Sequence, residues 1–151
     1  ASPVFVYAVE TSIQMTLTEL NENLREIYLE AYTHQEAMDY IHEHTSEELY
    51  HIFSPYLPGY TESDFYELEI GTAGIMRGYM ARKCDKYFTL EKKLSRFLAM
   101  TMSAFKVPEE EQEKIIGSIS GLDIRGISEQ VMRELFRALA MQFEFSLNGL
   151  E

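Results

Sequence analysis

The chain has 151 residues, of which 46% are apolar, which is enough for the core of one globular domain and excludes disorder by composition. Its formal net charge of −12 lies almost entirely in residues 1–70, which carry −13, whereas residues 71–151 carry +1. Because so acidic a surface repels phosphate groups, we expect this domain itself to bind neither nucleic acid nor an anionic membrane surface.

The single cysteine, Cys84, excludes an internal disulfide and is typical of a reducing cytoplasm. No apolar run is long enough to predict a membrane span, and PVFVYAV at 3–9 is too short for a signal sequence. We therefore expect a cytoplasmic protein without membrane partners. The chain begins at Ala1 rather than at a methionine, which is consistent with a segment of a longer protein.

Helical periodicity begins at Ser2-Pro3, where a capping serine precedes a proline at the first helical position. Apolar residues then recur at three- and four-residue spacing as far as Ala31, and Asn-Glu-Asn at 21–23 is a possible break. A second helix is predicted over 35–53. The stretch PYLPGYTESD that follows predicts a loop.

Three further helices are predicted from their start and stop signals. Thr61 and Asp64 form a capping-box pattern ahead of a helix that reaches about Lys83. Thr89 is placed to cap the next helix, and Pro108 with three following glutamates begins another, because those carboxylates favour the positive end of the helix dipole.

The last helix is predicted from about Ser128 to Leu147, with Gly149 as its stop. Alternating strand patterns are nearly absent from the chain. The sequence therefore predicts a single all-α domain, a bundle of six or seven helices, over residues 1–151.

The stretch IHEHTSEELYH at 41–51 contains three of the four histidines and could suggest a metal site. His44, Glu47, Glu48 and His51 share a helix face, but a zincin motif fails because Ser46 stands where the second histidine is needed. A di-iron bundle needs two Glu-x-x-His motifs, and only Glu48 to His51 supplies one. We interpret these side chains as solvated polar residues and predict no metal, no other cofactor and no catalysis.

Aromatic and methionine side chains are concentrated between residues 28 and 80, in a chain with 10 tyrosines, 9 phenylalanines and 8 methionines. Tyrosine combines an apolar ring with a hydroxyl that can orient a ligand, and methionine adapts to irregular shapes. Together they favour a mostly apolar pocket, although any one of them fits an ordinary core.

Glycines at 71, 74 and 78 interrupt a helical pattern, and each costs about 0.5–1 kcal/mol relative to alanine. Close approach of another helix is the favoured explanation, ahead of a kink or room for a ligand. The last helix is apolar over much more than one stripe, which favours an interface with a symmetric partner.

The segments ENLREIYLEAYT, YELEIGTAGIMRGYMARKCD and TLEKKLSRFLAMTMSAF, followed by a long apolar helix, resemble the C-terminal regulatory domain of the tetracycline-repressor (TetR) family. The resemblance implies helices that dimerise and enclose an effector pocket, controlling an N-terminal helix-turn-helix that reads DNA. This chain lacks that helix-turn-helix, so DNA would be bound only through a segment ahead of it.

The expected function is an effector-sensing, homodimeric domain of a bacterial transcriptional regulator that binds a small, largely apolar ligand. The candidate ligand-binding residues are Tyr32, Tyr40, Phe53, Tyr56, Phe65, Met76, Tyr79, Met80 and Phe97. The candidate dimer-interface residues are Leu90, Phe97, Met102, Val131, Leu135, Phe136, Leu139 and Phe143. The alternatives are a metal-dependent helical-bundle enzyme using Glu48 and His51, or a ligand-free helical adaptor with a fully packed interior.

Overall fold

The structure, a computed structural model, describes the backbone of residues 2–148 and the side chains of residues 2–141. This part of the chain is all-helical, which confirms the predicted fold class. It forms seven α-helices, namely α1 (Pro3–Leu20), α2 (Glu22–Ala31), α3 (Gln35–Phe53), α4 (Glu62–Ala81), α5 (Leu90–Ala104), α6 (Glu109–Ser120) and α7 (Ile124–Asn148). A 3-10 turn, Ser54–Tyr56, follows α3. None of the described helices is long and apolar enough to cross a membrane.

Asn21 divides the first helical run in two. Its backbone is extended, with φ −144° and ψ 115°, so that α1 ends there. Its side-chain Oδ1 accepts a hydrogen bond from the Leu24 N–H at 3.0 Å and thereby caps α2. Asparagine is among the best capping residues, which is why the break falls at this position.

The predicted capping signals further along the chain are confirmed. Thr61 Oγ1 accepts from the Asp64 N–H, and the Asp64 carboxylate accepts in return from the Thr61 N–H at 2.8 Å. Thr89 Oγ1 accepts from the Lys92 N–H at the start of α5. Both helices begin where the sequence indicates because a cap needs only residues three positions apart.

The last helix begins four residues before the predicted start at Ser128. Asp123 supplies the cap, since its Oδ1 accepts from the Gly126 N–H at 3.0 Å. This is an aspartate in a capping position that the prediction overlooked. The predicted stop at Gly149 lies outside the described residues.

Helix α1 lies at the centre of the bundle and contacts each of the other six α-helices. Ala8, Ser12 and Thr16, at four-residue spacing, are fully buried. The Thr16 hydroxyl donates to the Ser12 carbonyl at 2.7 Å, so this polar group is satisfied within the helix. Small side chains along one line of α1 let neighbouring helices approach closely.

The core beside α1 is built on phenylalanines from three different elements. Phe53 stacks on Phe105 with ring centroids 4.2 Å apart, and Phe65 stacks on the same ring at 6.3 Å. Met80, Phe97, Leu98 and Met102 are buried in the same cluster. Aromatic pairs of this kind stabilise the fold beyond the area that they bury.

A buried ionic cluster joins α1, α2, α5 and the segment between α4 and α5. The Glu19 carboxylate accepts from Lys93 Nζ, from Arg25 Nη2 at 3.2 Å and from the Cys84 N–H at 3.3 Å. Arg25 Nη1 also donates to the Met80 carbonyl at 2.6 Å. Since Arg25 and Lys93 are both buried, their charges are compensated mainly inside the protein.

Candidate functional site

A cavity of about 300 Å³ lies between α1, α3 and α4, near the end of α2. This volume is at the lower end of the range of small-molecule sites. Its lining combines aromatic, aliphatic and acidic side chains. The lining residues are Tyr7, Glu10, Thr11, Gln14, Tyr32, Ile41, Thr45, Glu48, Leu49, Ile52, Glu69, Thr72, Ala73 and Met76.

Glu69 lines this cavity from the buried face of α4 and is only 2% exposed. Its Oε2 is hydrogen-bonded to Nδ1 of His42 from α3, which is itself mostly buried. The ring of Tyr66 meets the His42 ring edge-on at 6.1 Å. This pair therefore connects the two helices that form most of the cavity wall.

Burial raises the pKa of Glu69 above the usual carboxyl range, and the hydrogen bond and charge of His42 offset part of that increase. The cause is the loss of hydration, which disfavours the ionised form. A buried carboxyl with a perturbed pKa in a cavity is a typical feature of a functional site.

Two tyrosines line the same cavity. Burial raises the pKa of Tyr7 to about 12. Burial also raises the pKa of Tyr32, and the negative charge of Glu69 adds to this effect. Both hydroxyls therefore stay protonated at neutral pH, and that of Tyr7 is hydrogen-bonded to Thr101 of α5.

Neither Glu69 nor His42 was among the predicted site residues, although the sequence contains a signal for Glu69. It falls on the helical stripe formed by the buried residues Phe65, Thr72, Met76 and Met80. An acidic residue within an otherwise apolar stripe indicates a buried charge that requires a partner. The identity of that partner, on another helix, could not be read from spacing.

Only Tyr32 and Met76 among the predicted ligand-binding residues line this cavity. Phe53, Phe65, Met80 and Phe97 are instead buried in the close-packed core, so the prediction for these four needs correction. Their aromatic and methionine side chains fill the interior, because the same helical spacing serves a core and a pocket wall equally well.

The other predicted ligand-binding residues lie away from the cavity. Tyr40 is 64% exposed and rests on the ring of His44. Tyr56 Oη donates to Glu111 Oε1 at 2.5 Å, which joins the 3-10 turn to α6. Tyr79 lines an open groove beside Met100, on a different side of α4.

The side chains of the histidine-rich stretch 41–51 lie in three different places. Glu48 lines the cavity, whereas His51 lines a separate surface groove with Glu47. His42, which does not share the helix face of His44 and His51, is buried against Glu69. Among the described residues no three His, Cys, Asp or Glu side chains are placed to hold a metal ion.

The glycines of α4 do not mark a close contact with another helix. A Cβ atom built at Gly71, Gly74 or Gly78 would meet nothing within 4 Å among the described residues. The favoured prediction of close helix packing is therefore wrong. Gly74 and Gly78 line the open groove that contains Tyr79.

The predicted dimer-interface residues divide into an exposed and a buried set. Val131, Leu135, Phe136 and Leu139 are exposed on α7, where they form an apolar surface that we call the α7 face. Phe97 and Met102 are core residues and Leu90 packs against that core, which corrects the prediction that α5 offers an interface. The side chain of Phe143 lies outside the described residues.

Comparison of the chain with protein-family models, with curated proteins and with solved structures finds no match.

Proposed function

We propose that this chain is the effector-sensing and dimerisation domain of a bacterial transcriptional regulator of the TetR kind, working in the cytoplasm. The observation that carries the proposal is the partly open cavity between α1, α3 and α4, whose lining includes the buried Glu69. A ligand-free adaptor would be expected to have a packed interior, and the cavity argues against that alternative.

The α7 face supports the dimerisation part of the proposal. Leu139 is 51% exposed and follows Val131 and Leu135 at four-residue spacing, and Phe136, 44% exposed, widens this apolar surface around the helix. Monomeric proteins seldom expose a continuous apolar surface of this kind. A second copy packing its own α7 against this face would form the two-fold symmetric interface that is most common in homodimers.

Ligand binding would act through α1. This helix forms one wall of the cavity and contacts every other α-helix. A shift of α1 relative to α4 would therefore change its packing against the other helices. A DNA-binding segment attached ahead of α1 would move with α1, because the two are joined covalently. The ligand changes the equilibrium only if it prefers one of the two helix arrangements.

The regulator class is tested by the native gene. We expect the codons directly upstream of Ala1 to encode, in the same frame, a basic three-helix segment with a helix-turn-helix. A different kind of upstream segment, or an initiator codon directly before Ala1, would overturn the assignment to this class.

The dimer is tested by sedimentation velocity on the 151-residue chain. We expect a dimer that Leu135→Glu dissociates, because the substitution places a charge in the middle of the apolar interface. Arg133→Glu, at another exposed position of the same helix, is the matched control and should remain dimeric. A monomeric wild-type chain would contradict the proposal.

A further inference from the structure

The charged side chains that line the cavity are all acidic. Three glutamates, Glu10, Glu48 and Glu69, line it, and no lysine, arginine or histidine does so among the residues whose side chains the structure describes. From this lining we infer that the ligand of the cavity is an organic cation with an apolar body. The inference rests on the proposed function and specifies the chemical class of its effector.

The glutamates are placed at two depths. Glu10 and Glu48 are exposed, so they lie where the cavity meets solvent, whereas Glu69 is almost completely buried. Neither Glu10 nor Glu48 forms a salt bridge with any side chain in the described range 2–141. A cation entering the cavity therefore meets two carboxylates without a salt-bridge partner among the described side chains.

The remaining lining suits the apolar body of such a ligand. Leu49, Ile52 and Met76 supply aliphatic and thioether surface. Tyr7 and Tyr32 supply aromatic rings, and the faces of such rings attract cations as well as apolar groups. A largely apolar site with a few charged groups that fix orientation is the usual composition of a small-molecule pocket.

His42 limits what Glu69 can contribute, because it already occupies one oxygen of that carboxyl group. A bound cation would share Glu69 with the imidazole. The selectivity for positive charge therefore depends on Glu10 and Glu48 as well. Glu10 and Glu48 would repel an anionic ligand, and the other acidic residues in 1–70 add to that repulsion.

The inference can be tested with three small probes that differ in charge. Benzyltrimethylammonium is a cation with an aromatic body, neopentylbenzene replaces its nitrogen by carbon, and phenylacetate is an anion. Isothermal titration of the 151-residue chain at low ionic strength should show binding of the cation at about one site. The neutral isostere should bind at least about tenfold more weakly, and phenylacetate should not bind measurably.

Adjacent residues of α3 provide matched variants. Glu48 lines the cavity, whereas Glu47 lines the separate groove that contains His51, and both are exposed. Glu48→Gln should weaken binding of the cation about threefold, in keeping with a partly solvated charge, and Glu47→Gln should leave it unchanged. Because both variants change the net charge equally, the comparison separates a local contact from general attraction.

The possible results distinguish the ligand class from the proposed function. Equal binding of the cation and its neutral isostere, or equal effects of the two variants, would overturn the cationic ligand and leave a binding cavity in place. Cation binding weaker than about 10 mM would likewise overturn it. The regulator assignment is decided separately, by the upstream gene segment and by the dimer.

Discussion

Glu19 and Glu69 are both enclosed by helices, and the protein holds their carboxyl groups in opposite ways. Glu19 accepts hydrogen bonds from Lys93, from Arg25 and from a backbone N–H. Among the side chains of residues 2–141, the Glu69 carboxyl group has His42 as its one hydrogen-bond partner. The first carboxylate is part of a closed ionic cluster, whereas the second also borders a cavity.

The pKa values follow from this difference. Burial acts to raise the pKa of Glu19, but the hydrogen bonds from Lys93 and Arg25 outweigh that effect, and the pKa lies below the usual range. Burial raises the pKa of Glu69, and His42 only partly offsets it. The number of hydrogen-bond donors therefore decides whether the pKa of a buried carboxyl group is lowered or raised.

The largest expected effect is on the ionic cluster. Glu19→Gln removes the negative charge that Lys93 and Arg25 share. It leaves buried Lys93 without an ion pair among the described residues and leaves buried Arg25 with the half-exposed Glu22 alone. We expect the free energy of unfolding to fall by about 3–5 kcal/mol, as for other broken buried ion pairs. Urea unfolding followed by circular dichroism measures the loss.

Glu22→Gln is the control for this prediction. Glu22 also contacts Arg25, at 3.2 Å, but its side chain is 49% exposed. Water therefore replaces the lost interaction, and the change should stay within about 1 kcal/mol. If the two variants lose equal stability, burial of the cluster is not what makes Glu19 important.

A smaller effect is expected at the second carboxyl group. His42→Ala leaves Glu69 buried without its hydrogen-bond partner, which costs about 1–3 kcal/mol of unfolding free energy. His44→Ala, at an exposed position of the same helix, should change it by no more than about 0.5 kcal/mol. The same denaturation measurement compares them, and equal stability of the two variants would show that the pair contributes nothing.

The contributions of Glu19 and Glu69 to the stability of the fold should also change with pH in opposite directions. The folded-state pKa of Glu19 is lowered. Its contribution to the free energy of unfolding is therefore present above the ordinary carboxyl pKa of about 4.3, and it is lost as the pH falls through the lowered value. The folded-state pKa of Glu69 is raised. Its contribution to the free energy of unfolding is therefore complete below a pH of about 4.3, and it is lost as the pH rises through the raised value.

Carbon-13 NMR titration of the side-chain carboxyl groups measures this difference most directly. We expect the Glu19 resonance to titrate below about 4.3 and the Glu69 resonance above it. Spectra of Glu19→Gln and Glu69→Gln, each lacking one resonance, assign the two signals. Titration of both groups on the same side of the ordinary value would remove the contrast between the two sites.

Local signals in the sequence predicted most of the helix boundaries. Asn21, Thr61 and Thr89 each cap a helix through a backbone N–H three residues ahead. Such a contact lies within a few residues of chain, so its geometry does not depend on the rest of the fold. The start of α7 was misplaced because the cap at Asp123 was overlooked, although that signal is equally local.

The candidate site was predicted less well, for a physical reason. Phe53 and Met76 both recur at helical spacing, yet Phe53 is packed against Phe105 and Met76 borders a cavity. Helical periodicity shows that a side chain faces the interior, but it does not show whether the opposing helices meet there or leave a space. For the same reason the open surface at Gly74 could not be distinguished from a close contact.

The sequence by itself determined an all-α chain, its helix caps, its acidic first half and the breadth of the apolar surface on α7. Only the tertiary structure brought His42 of α3 against Glu69 of α4 and opened a cavity beside them. Helix formation depends on neighbours within one or two turns, whereas a cavity depends on the distances between helices. Those distances are set where side chains from different parts of the chain pack together, for example where the small residues of α1 meet the other helices.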